Sequence, residues 1–439
     1  MSLEHANEKP SQGDTINVAA DTDPEQTKEG LVEDYEVFQK TEDGVDFRTV
    51  GWFKASVIFC KVMFAVGVLS LPTTMSALGA VGGSLSIVAW GAFNTYCFVI
   101  LGDFRQRHPG CHSIADMAYV VGGVVTKELT GFLFIVAYVL CAGAGIIGVA
   151  TGLNALSHHA TCTVWYALVA TIVCALTASV RKLHQFGWLT YAGFASVYIA
   201  VLIVVIGVTQ RDRPAAAPQT GPYELGYYAI AYPSFASGMV ASSTIFYSSA
   251  GTSAFLPVIS EMRNPKDYKR LCTFSAGQTV KMVAYGVALV GLIVSGSVYI
   301  HVSAKYIFVR VLRNSRHLQA NTLVHWGTWL GCTFSLSFVA FIFAEAIPIF
   351  NYLNALTGSI CFAPLAMMLP GWFWLYDHGH YRTGTAVQRL VYWIHWAIIA
   401  LGVFFLGGGT YGIVLEIVDA YANGTIGSAF SCADNSNST

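Results

Sequence analysis

Long apolar stretches follow one another from Gly51 onward, separated by short polar or basic segments. A stretch of about 20 apolar residues can cross a hydrocarbon core about 30 Å thick, at a rise of 1.5 Å per residue. The pattern predicts an all-α polytopic membrane protein with 10 to 11 transmembrane helices. The predicted spans are 52–77, 80–101, 129–153, 164–179, 186–208, 237–259, one or two within 271–311, 323–343, 350–376 and 390–414.

The segment 271–311 has only 41 residues, so the number of spans within it stays open at one or two. Two helices of about 18 residues joined by a tight turn would just fit across the membrane. A single helix would place Arg310, Arg313 and Arg316 outside, against the rule that basic loops stay on the cytoplasmic side. We therefore expect the compressed pair.

Composition agrees with a membrane protein: 54% of residues are hydrophobic, 11% are charged, and the mean hydropathy is +0.55. Residues 1–50 carry thirteen acidic and four basic side chains, a charge of −9, which leaves +8 for the remainder. Such a polar segment cannot bury enough apolar area to fold. We interpret 1–48 as a disordered, acidic cytoplasmic tail without the apolar core of a signal peptide, 49–419 as the transmembrane domain, and 420–439 as a short extracellular tail.

The distribution of basic residues predicts the orientation in the membrane. Arginine and lysine cluster in four short segments: Arg105 with Arg107, Arg181 with Lys182, Arg263 to Arg270, and Arg310 to Arg316. The segment 154–163 has none, which favours the outside. The N-terminus is then cytoplasmic, and the sequons that begin at Asn423 and Asn437 lie outside, where they would be glycosylated.

The sequence contains no enzymatic signature. Nucleophile elbows, phosphate-binding loops and zinc-binding spacings are absent, which argues against an enzyme and against an ATP-driven pump. Seven of the ten cysteines lie inside or at the edge of apolar runs, where they pack as small hydrophobic residues. We expect no cofactor, no metal and no nucleic-acid partner; the expected partners are a small solute, a proton and membrane lipid.

Two predicted spans, the first and the sixth, carry helix-breaking residues. The first contains Gly67 and Pro72, and the sixth contains the small polar run 246–253 followed by Pro257. A freed backbone group is expensive in lipid unless it lines a buried cavity. Interruptions at matching positions in the two halves of a chain point to a transporter site built from inverted repeats.

Broken helices suit a zwitterionic solute. The N-terminus of a half-helix offers free N–H groups to a carboxylate, while unwound carbonyls accept hydrogen bonds from an ammonium group. No charged side chain is needed. Phenylalanine and tyrosine residues in the spans would favour apolar or aromatic side chains of the solute.

Three stretches carry a resemblance to a known family: GVLSLP at 67–72, YSSAGTSAFLPVISEMRNPKDY at 247–268 and AEAIPIFNYLNALTGS at 344–359. They resemble the amino acid/auxin permease family, and within it the fungal neutral amino-acid permeases of the N system, the methyltryptophan resistance type. The resemblance covers about 51–419. It implies a LeuT-like fold with five plus five inverted spans, an eleventh helix, and discontinuous helices 1 and 6.

The same resemblance implies a function and a set of site residues. The function is proton-driven symport of neutral aliphatic and aromatic amino acids across the plasma membrane. The expected substrate-binding residues come from the first and sixth helices: Ala65, Val66, Gly67, Val68, Leu69, Ser70, Tyr247, Ser248, Ser249, Ala250 and Gly251.

Two ionisable residues within the spans are candidates for proton coupling, because a charge inside the membrane is costly and usually functional. Lys61 lies about one and a half helical turns before Gly67, although its long stem would also allow it to reach the cytoplasmic interface. Glu345 lies beside Pro348 in a late span and is either a proton relay or a structural residue.

A second functional hypothesis remains open. The chain would be a nutrient sensor that keeps the transporter fold and signals through its acidic N-terminal tail. Uptake that persists after removal of residues 1–45 would favour the transporter. A membrane-embedded enzyme is disfavoured, because the ionisable residues of the spans are scattered in depth.

Overall fold

The computed structural model describes residues 50–64, 67–108, 110–181, 189–193, 195–196, 199, 220–222, 228–262, 285–313, 315–424 and 429–432. These residues are mostly helical, and the only β-type contact among them is an isolated bridge between Val50 and Met262. Twelve α-helices are named here, in chain order: α1 Trp52–Phe64, α2 Leu71–Arg107, α3 Ile114–Ser157, α4 Thr163–Ala178, α5 Phe235–Tyr247, α6 Phe255–Ser260, α7 Tyr285–Leu312, α8 Leu323–Ala346, α9 Phe350–Thr357, α10 Leu369–Asp377, α11 Ala386–Phe404 and α12 Thr410–Ala422.

Six apolar helical stretches within the described residues are long enough to cross a membrane, which confirms the predicted class of membrane protein. They are Leu71–Arg107, Ile114–Ser157, Leu289–Leu312, Leu323–Ala346, Phe350–Asp377 and Ala386–Ala422. The last two are continuous because π-helical turns, Gly358–Met368 and Phe405–Gly409, join α9 to α10 and α11 to α12. Most of the predicted span 186–208 lies outside the described residues.

Helix α2 contains a sharp bend that divides two predicted spans. Gly79 has a φ of 76°, a left-handed conformation that glycine adopts without steric cost. The bend falls between the predicted spans 52–77 and 80–101, so the first part of α2 completes the first span. The backbone N–H groups of Ala80 and Val81 donate to the carbonyls of Tyr228 and Ala229 across this bend.

Helices α3 and α7 form the most extensive helix pair among the described elements. A Cβ atom added to Gly145 would lie 3.2 Å from the Cα of Gly296, so the two backbones approach closely. Small residues commonly allow such approach between membrane helices. The pair forms a central support on which the discontinuous helices pack.

The described helices have two chemically different ends. At one end, Arg313 at the end of α7 donates to Asp116 near the start of α3 at 2.9 Å, and Arg310 binds Glu128. At the same end of the helices, Arg107 of α2 donates to Asp377 of α10 at 2.6 Å. We call this the basic end. Its ion pairs show that α3 and α7 run antiparallel.

The opposite end carries a disulfide between Cys162 and Cys432, 270 residues apart in sequence, and is called the disulfide end. The interpretation of the intramembrane cysteines as packing residues does not include this bond. The signal was available, because both cysteines lie in segments predicted to be extracellular, where disulfides persist. The N–H of Phe430 also donates to the carbonyl of Glu345, so the C-terminal segment crosses the end of α8.

The expected compressed pair of helices within 271–311 is wrong in its position. Residues 285–312 form one continuous helix, so no turn divides the segment near its middle. The ion pairs of Arg310 and Arg313 also place the end of α7 at the basic end. Residues 263–284 lie outside the described part of the chain.

Candidate functional site

The first discontinuous helix is broken where the sequence predicts. Helix α1 ends at Phe64, and a short 3₁₀ turn spans Gly67–Ser70 before α2 begins. Pro72 occupies the first turn of α2, where its missing N–H costs no helical hydrogen bond. The predicted site residues Ala65 and Val66 lie outside the described residues, as do the side chains of Val68 and Leu69.

The second discontinuous helix is broken within the small polar run. Helix α5 ends at Tyr247, residues 248–250 are not helical, and a 3₁₀ turn at Gly251–Ala254 leads into α6. The hydroxyl of Ser248 donates to the carbonyl of Ile245 at 2.7 Å. Side-chain hydroxyls thus satisfy part of the backbone that the break releases.

The two breaks meet directly at Gly67. A Cβ atom added to Gly67 would lie 2.4 Å from the Cα of Ser248, closer than real Cβ contacts permit. Glycine is therefore required by backbone proximity, not by local conformation. The structure brings together the predicted residues Gly67, Ser70, Ser248 and Ser249, all of them buried.

Two asparagines from other helices hold the broken segments. Asn94 of α2 donates through Nδ2 to the hydroxyl of Ser249 at 2.8 Å, and Asn354 of α9 donates to the hydroxyl of Ser70 at 2.9 Å. Both asparagines are fully buried. Among the described residues neither Oδ1 atom has a hydrogen-bond partner, and the same holds for the hydroxyl of Thr252. Unsatisfied buried acceptors are costly, so these atoms are candidates for binding a polar ligand.

Aromatic residues form one wall beside the break in the sixth helix. The Tyr138 hydroxyl lies 2.8 Å from the Ser253 hydroxyl. The Phe362 ring lies 5.8 Å, between centroids, from the rings of both Tyr138 and Tyr247. The site therefore combines neutral hydrogen-bonding groups with an aromatic surface.

Asn94, Asn354 and Tyr138 were not among the residues predicted from sequence. Asn354 lies inside the family-like stretch 344–359, but nothing in the sequence alone distinguishes it from neighbouring polar residues. A usable signal was the rarity of amide side chains in apolar spans, where an unpaired polar group is expensive. Knowing which face each helix buries was needed to place them.

Of the two predicted proton-coupling residues, Glu345 is not brought to the breaks. The side chain of Lys61 lies outside what the structure describes. Glu345 lies at the disulfide end of α8, and its carboxylate makes no hydrogen bond to another described residue. Both roles remain predictions. A different charged pair, Glu261 with Lys305, is buried directly after α6.

Other predicted features have these positions. Asn423 directly follows α12, and Asn437 lies outside the described residues. Within the part of the chain that the structure describes, no group of three or more His, Cys, Asp or Glu side chains is close enough to hold a metal ion. The predicted acidic tail, 1–48, also falls outside the described residues.

Apposed breaks in two membrane helices, lined by neutral polar groups, define a class of transmembrane transporter. The sequence assigns the family: the transmembrane amino acid transporter protein family matches residues 48–297 and 273–415. The chain belongs to this family and is not an enzyme. The two matches overlap at 273–297.

Curated relatives agree with this membership. The chain is 48% identical to a transmembrane transporter of Gibberella moniliformis and 45% identical to one of Fusarium pseudograminearum; each match covers 92–93% of this chain and 92% of the relative. It is 24% identical to the N amino acid transport system protein of Neurospora crassa, over 89% of this chain and 90% of that protein. The resemblance stated from sequence is thereby confirmed.

Solved structures with a similar chain path include two membrane symporters. A Na⁺-coupled sialic acid symporter has a TM-score of 0.46 at 12% identity, covering 88% of this chain and 94% of that chain. Mhp1, a nucleobase-cation-symport-1 family transporter, has a TM-score of 0.44 at 12% identity. The match covers 91% of this chain and 100% of that chain. The family membership follows from the sequence matches.

Proposed function

We propose that the protein is a secondary active permease that imports neutral aliphatic and aromatic amino acids across the plasma membrane, driven by a proton gradient. The observation that carries this proposal is the meeting of two helix breaks at Gly67 and Ser248, surrounded by buried neutral hydrogen-bonding groups. The proposed architecture is the five-plus-five inverted repeat, in which the first and sixth helices bind the substrate.

The polar groups at the breaks suit an amino-acid backbone. The N–H groups that begin the 3₁₀ turn after Ala250 and the start of α2 favour a carboxylate. The free Oδ1 atoms of Asn94 and Asn354 accept hydrogen bonds from an ammonium group. Because the described side chains here are uncharged, a substrate with balanced charges fits better than a cationic or anionic one.

The aromatic wall accounts for the proposed side-chain preference. Tyr138, Tyr247 and Phe362 present ring surfaces beside the break, and aromatic contacts add about 0.5–1.5 kcal/mol beyond area burial. Leucine and phenylalanine side chains would bury apolar area against these rings. Lysine and glutamate would have to leave a charge unpaired there.

The basic end supports the proposed orientation. Arg105, Arg107, Arg310 and Arg313 lie at this end, and basic segments favour the cytoplasmic side. With the basic end in the cytoplasm, α1 begins there and the disulfide faces the outside. The acidic tail would then be cytoplasmic, and Asn423 extracellular.

Binding to purified protein tests the substrate chemistry. Leucine and phenylalanine should raise the melting temperature, because a ligand that binds only the folded state stabilises it. Leucine amide, which lacks the carboxylate, and 4-methylpentanoate, which lacks the ammonium group, should not. A shift produced equally by either analogue would contradict zwitterion recognition.

A sensor on the same fold would bind the same ligands without moving them. Removal of residues 1–45 separates the two possibilities, because the proposed transport uses only the membrane domain. Uptake at the wild-type rate by the shortened chain supports the permease. Ligand binding without uptake in both chains would support the sensor.

A further inference from the structure

The most deeply buried ion pair in the described part of the chain joins Glu261 to Lys305. The two side chains are 1% and 3% exposed, and the Lys305 ammonium contacts a Glu261 carboxylate oxygen. The other ion pairs of the basic end each include an exposed or half-exposed partner. A buried pair gives little net stability, because desolvation offsets the attraction. A charge retained inside the membrane therefore calls for a functional explanation.

Glu261 lies where the discontinuous helices and the central support meet. It follows the end of α6, and its carbonyl accepts a hydrogen bond at 3.0 Å from the N–H of Val50, just before α1. Val50 also forms a bridge with Met262. Its carboxylate reaches Lys305 on α7. One residue thus ties the inner halves of the first and sixth helices to α7.

A chain of contacts leads from the helix breaks towards this pair. The Tyr138 hydroxyl bonds Ser253 at the break in the sixth helix, and the Tyr138 and Tyr299 rings lie 6.0 Å apart. Tyr299 and Lys305 are six residues apart on α7, about 9 Å along the helix axis at 1.5 Å per residue. The ion pair therefore lies near the proposed substrate site, on the side of that site that faces the basic end.

We propose that Glu261 and Lys305 form the proton-binding pair that couples the proton gradient to opening of the basic end. This deepens the proposed function and rests on it. With Glu261 ionised, its attraction to Lys305 holds the inner halves of the first and sixth helices against α7. A proton arriving from outside binds the Glu261 carboxylate, forms an O–H bond and removes that attraction.

Opening then completes the proton transfer. The released inner halves separate from α7, water enters, and the Glu261 carboxyl loses its proton to the cytoplasm. The carboxylate and the Lys305 ammonium pair again, which closes the basic end. One proton crosses with each substrate.

Neighbouring titratable groups do not replace the pair. His112 precedes α3, and burial lowers its pKa to about 3, so it stays neutral at physiological pH. Arg105 and Arg313 lie near His112, and Arg181, after α4, lies near enough to Lys305 to interact with it electrostatically. Asp116 is held by Arg313. These arginines stay charged, which leaves Glu261 as the described carboxylate that faces Lys305.

The test is uptake of labelled leucine at acidic and neutral external pH, with leucine exchange measured in parallel. E261Q, which mimics the protonated carboxyl, should lose the stimulation by external protons while it keeps exchange. E128Q is the matched control, because it makes the same change in the exposed pair that Glu128 of α3 forms with Arg310 of α7. It should behave as wild type.

An isosteric neutral pair covers the case in which E261Q fails to fold. E261Q/K305M leaves no uncompensated buried charge, so it should reach the membrane and exchange leucine without proton stimulation. Wild-type proton stimulation in either variant would overturn the proposal. Absence of leucine uptake by the wild type would instead overturn the proposed function, so the two failures are distinguishable.

Discussion

At the scale of single residues, the site depends on how closely two backbones approach. Gly67 faces Ser248 with no room for a side chain, since an added Cβ would lie 2.4 Å from the Ser248 Cα. Any other residue must push the first and sixth helices apart. That displacement would open the space where substrate is proposed to bind.

Gly67→Val should abolish amino-acid uptake while the protein still reaches the cell surface. Gly331→Val on α8 is the control, because nothing lies within 4 Å of the position of its added Cβ. Uptake and surface labelling of both variants provide the measurement. Wild-type uptake by Gly67→Val would remove the two breaks from the substrate site.

Asn94→Ala and Asn354→Ala should each weaken substrate binding. Each substitution removes a hydrogen bond to a serine of a broken segment. It also removes an unpaired Oδ1 atom that is proposed to accept a hydrogen bond from the substrate. A net hydrogen bond is worth about 0.5–1.5 kcal/mol, so KM should rise about 2- to 10-fold. Thr95→Val is the control, because the Thr95 hydroxyl donates only to the Gly91 carbonyl of its own helix. This variant should leave KM unchanged. An unaltered KM in both asparagine variants would contradict their role.

Single site residues could be predicted from the sequence where glycine, proline or small polar residues mark a helix break. Gly67 and Pro72 mark the first break, and the run around Ser248 marks the second. Asn94, Asn354 and the pair of Glu261 with Lys305 were missed, because their importance comes from contacts across 44 to 284 residues of sequence. Hydropathy along one segment carries no information on such contacts.

At the scale of helices, the region around Gly358 joins the ninth helix to the site. A π-helical stretch, Gly358–Met368, contains Pro364 and continues α9 into α10. π-helical turns are often found at functional sites. Gly358 packs against α5, where an added Cβ would lie 2.6 Å from the Ser243 carbonyl oxygen.

Gly358→Ala should reduce uptake, because it separates the π-helical stretch from α5 and displaces the nearby Tyr247. Its added Cβ would lie 3.2 Å from the Tyr247 Cβ. Gly407→Ala, where nothing lies within 4 Å, is the control. Competition by phenylalanine against leucine uptake would measure the effect on the aromatic wall. If Gly358→Ala and Gly407→Ala showed the same uptake and the same competition by phenylalanine, the contact between Gly358 and α5 would not matter for transport.

Helix prediction worked best for long apolar stretches with clear breaks. The bend at Gly79 fell within the gap predicted between the first two spans, since glycine there adopts a positive φ. The turn expected near the middle of 271–311 is wrong, because 285–312 is one continuous helix and segment length alone cannot locate a turn. Contacts of Arg310 and Arg313 with α3, which fix the direction of α7, could not be read from the sequence.

At the scale of the whole molecule, the two ends differ in chemistry. Ion pairs concentrate at the basic end, whereas the disulfide between Cys162 and Cys432 links distant segments at the other end. Disulfides persist in oxidising compartments. With the basic end in the cytoplasm, both ends therefore face the environment that their chemistry suits.

Cys162→Ser should free Cys432 for labelling by a membrane-impermeant maleimide on intact cells, without a reductant. Wild type should label at this position only after reduction, because the disulfide holds both thiols. Cys432→Ser should expose Cys162 in the same way. Labelling of the freed thiol only after permeabilisation would place the disulfide end in the cytoplasm and reverse the proposed orientation.

We propose that the chain moves neutral amino acids by using a proton gradient. The most direct measurement is uptake of labelled leucine and phenylalanine by cells that express the full chain, with and without a protonophore. We expect concentrative uptake that collapses when the protonophore dissipates the gradient. Absence of uptake despite surface expression, or uptake unaffected by the protonophore, would contradict the claim.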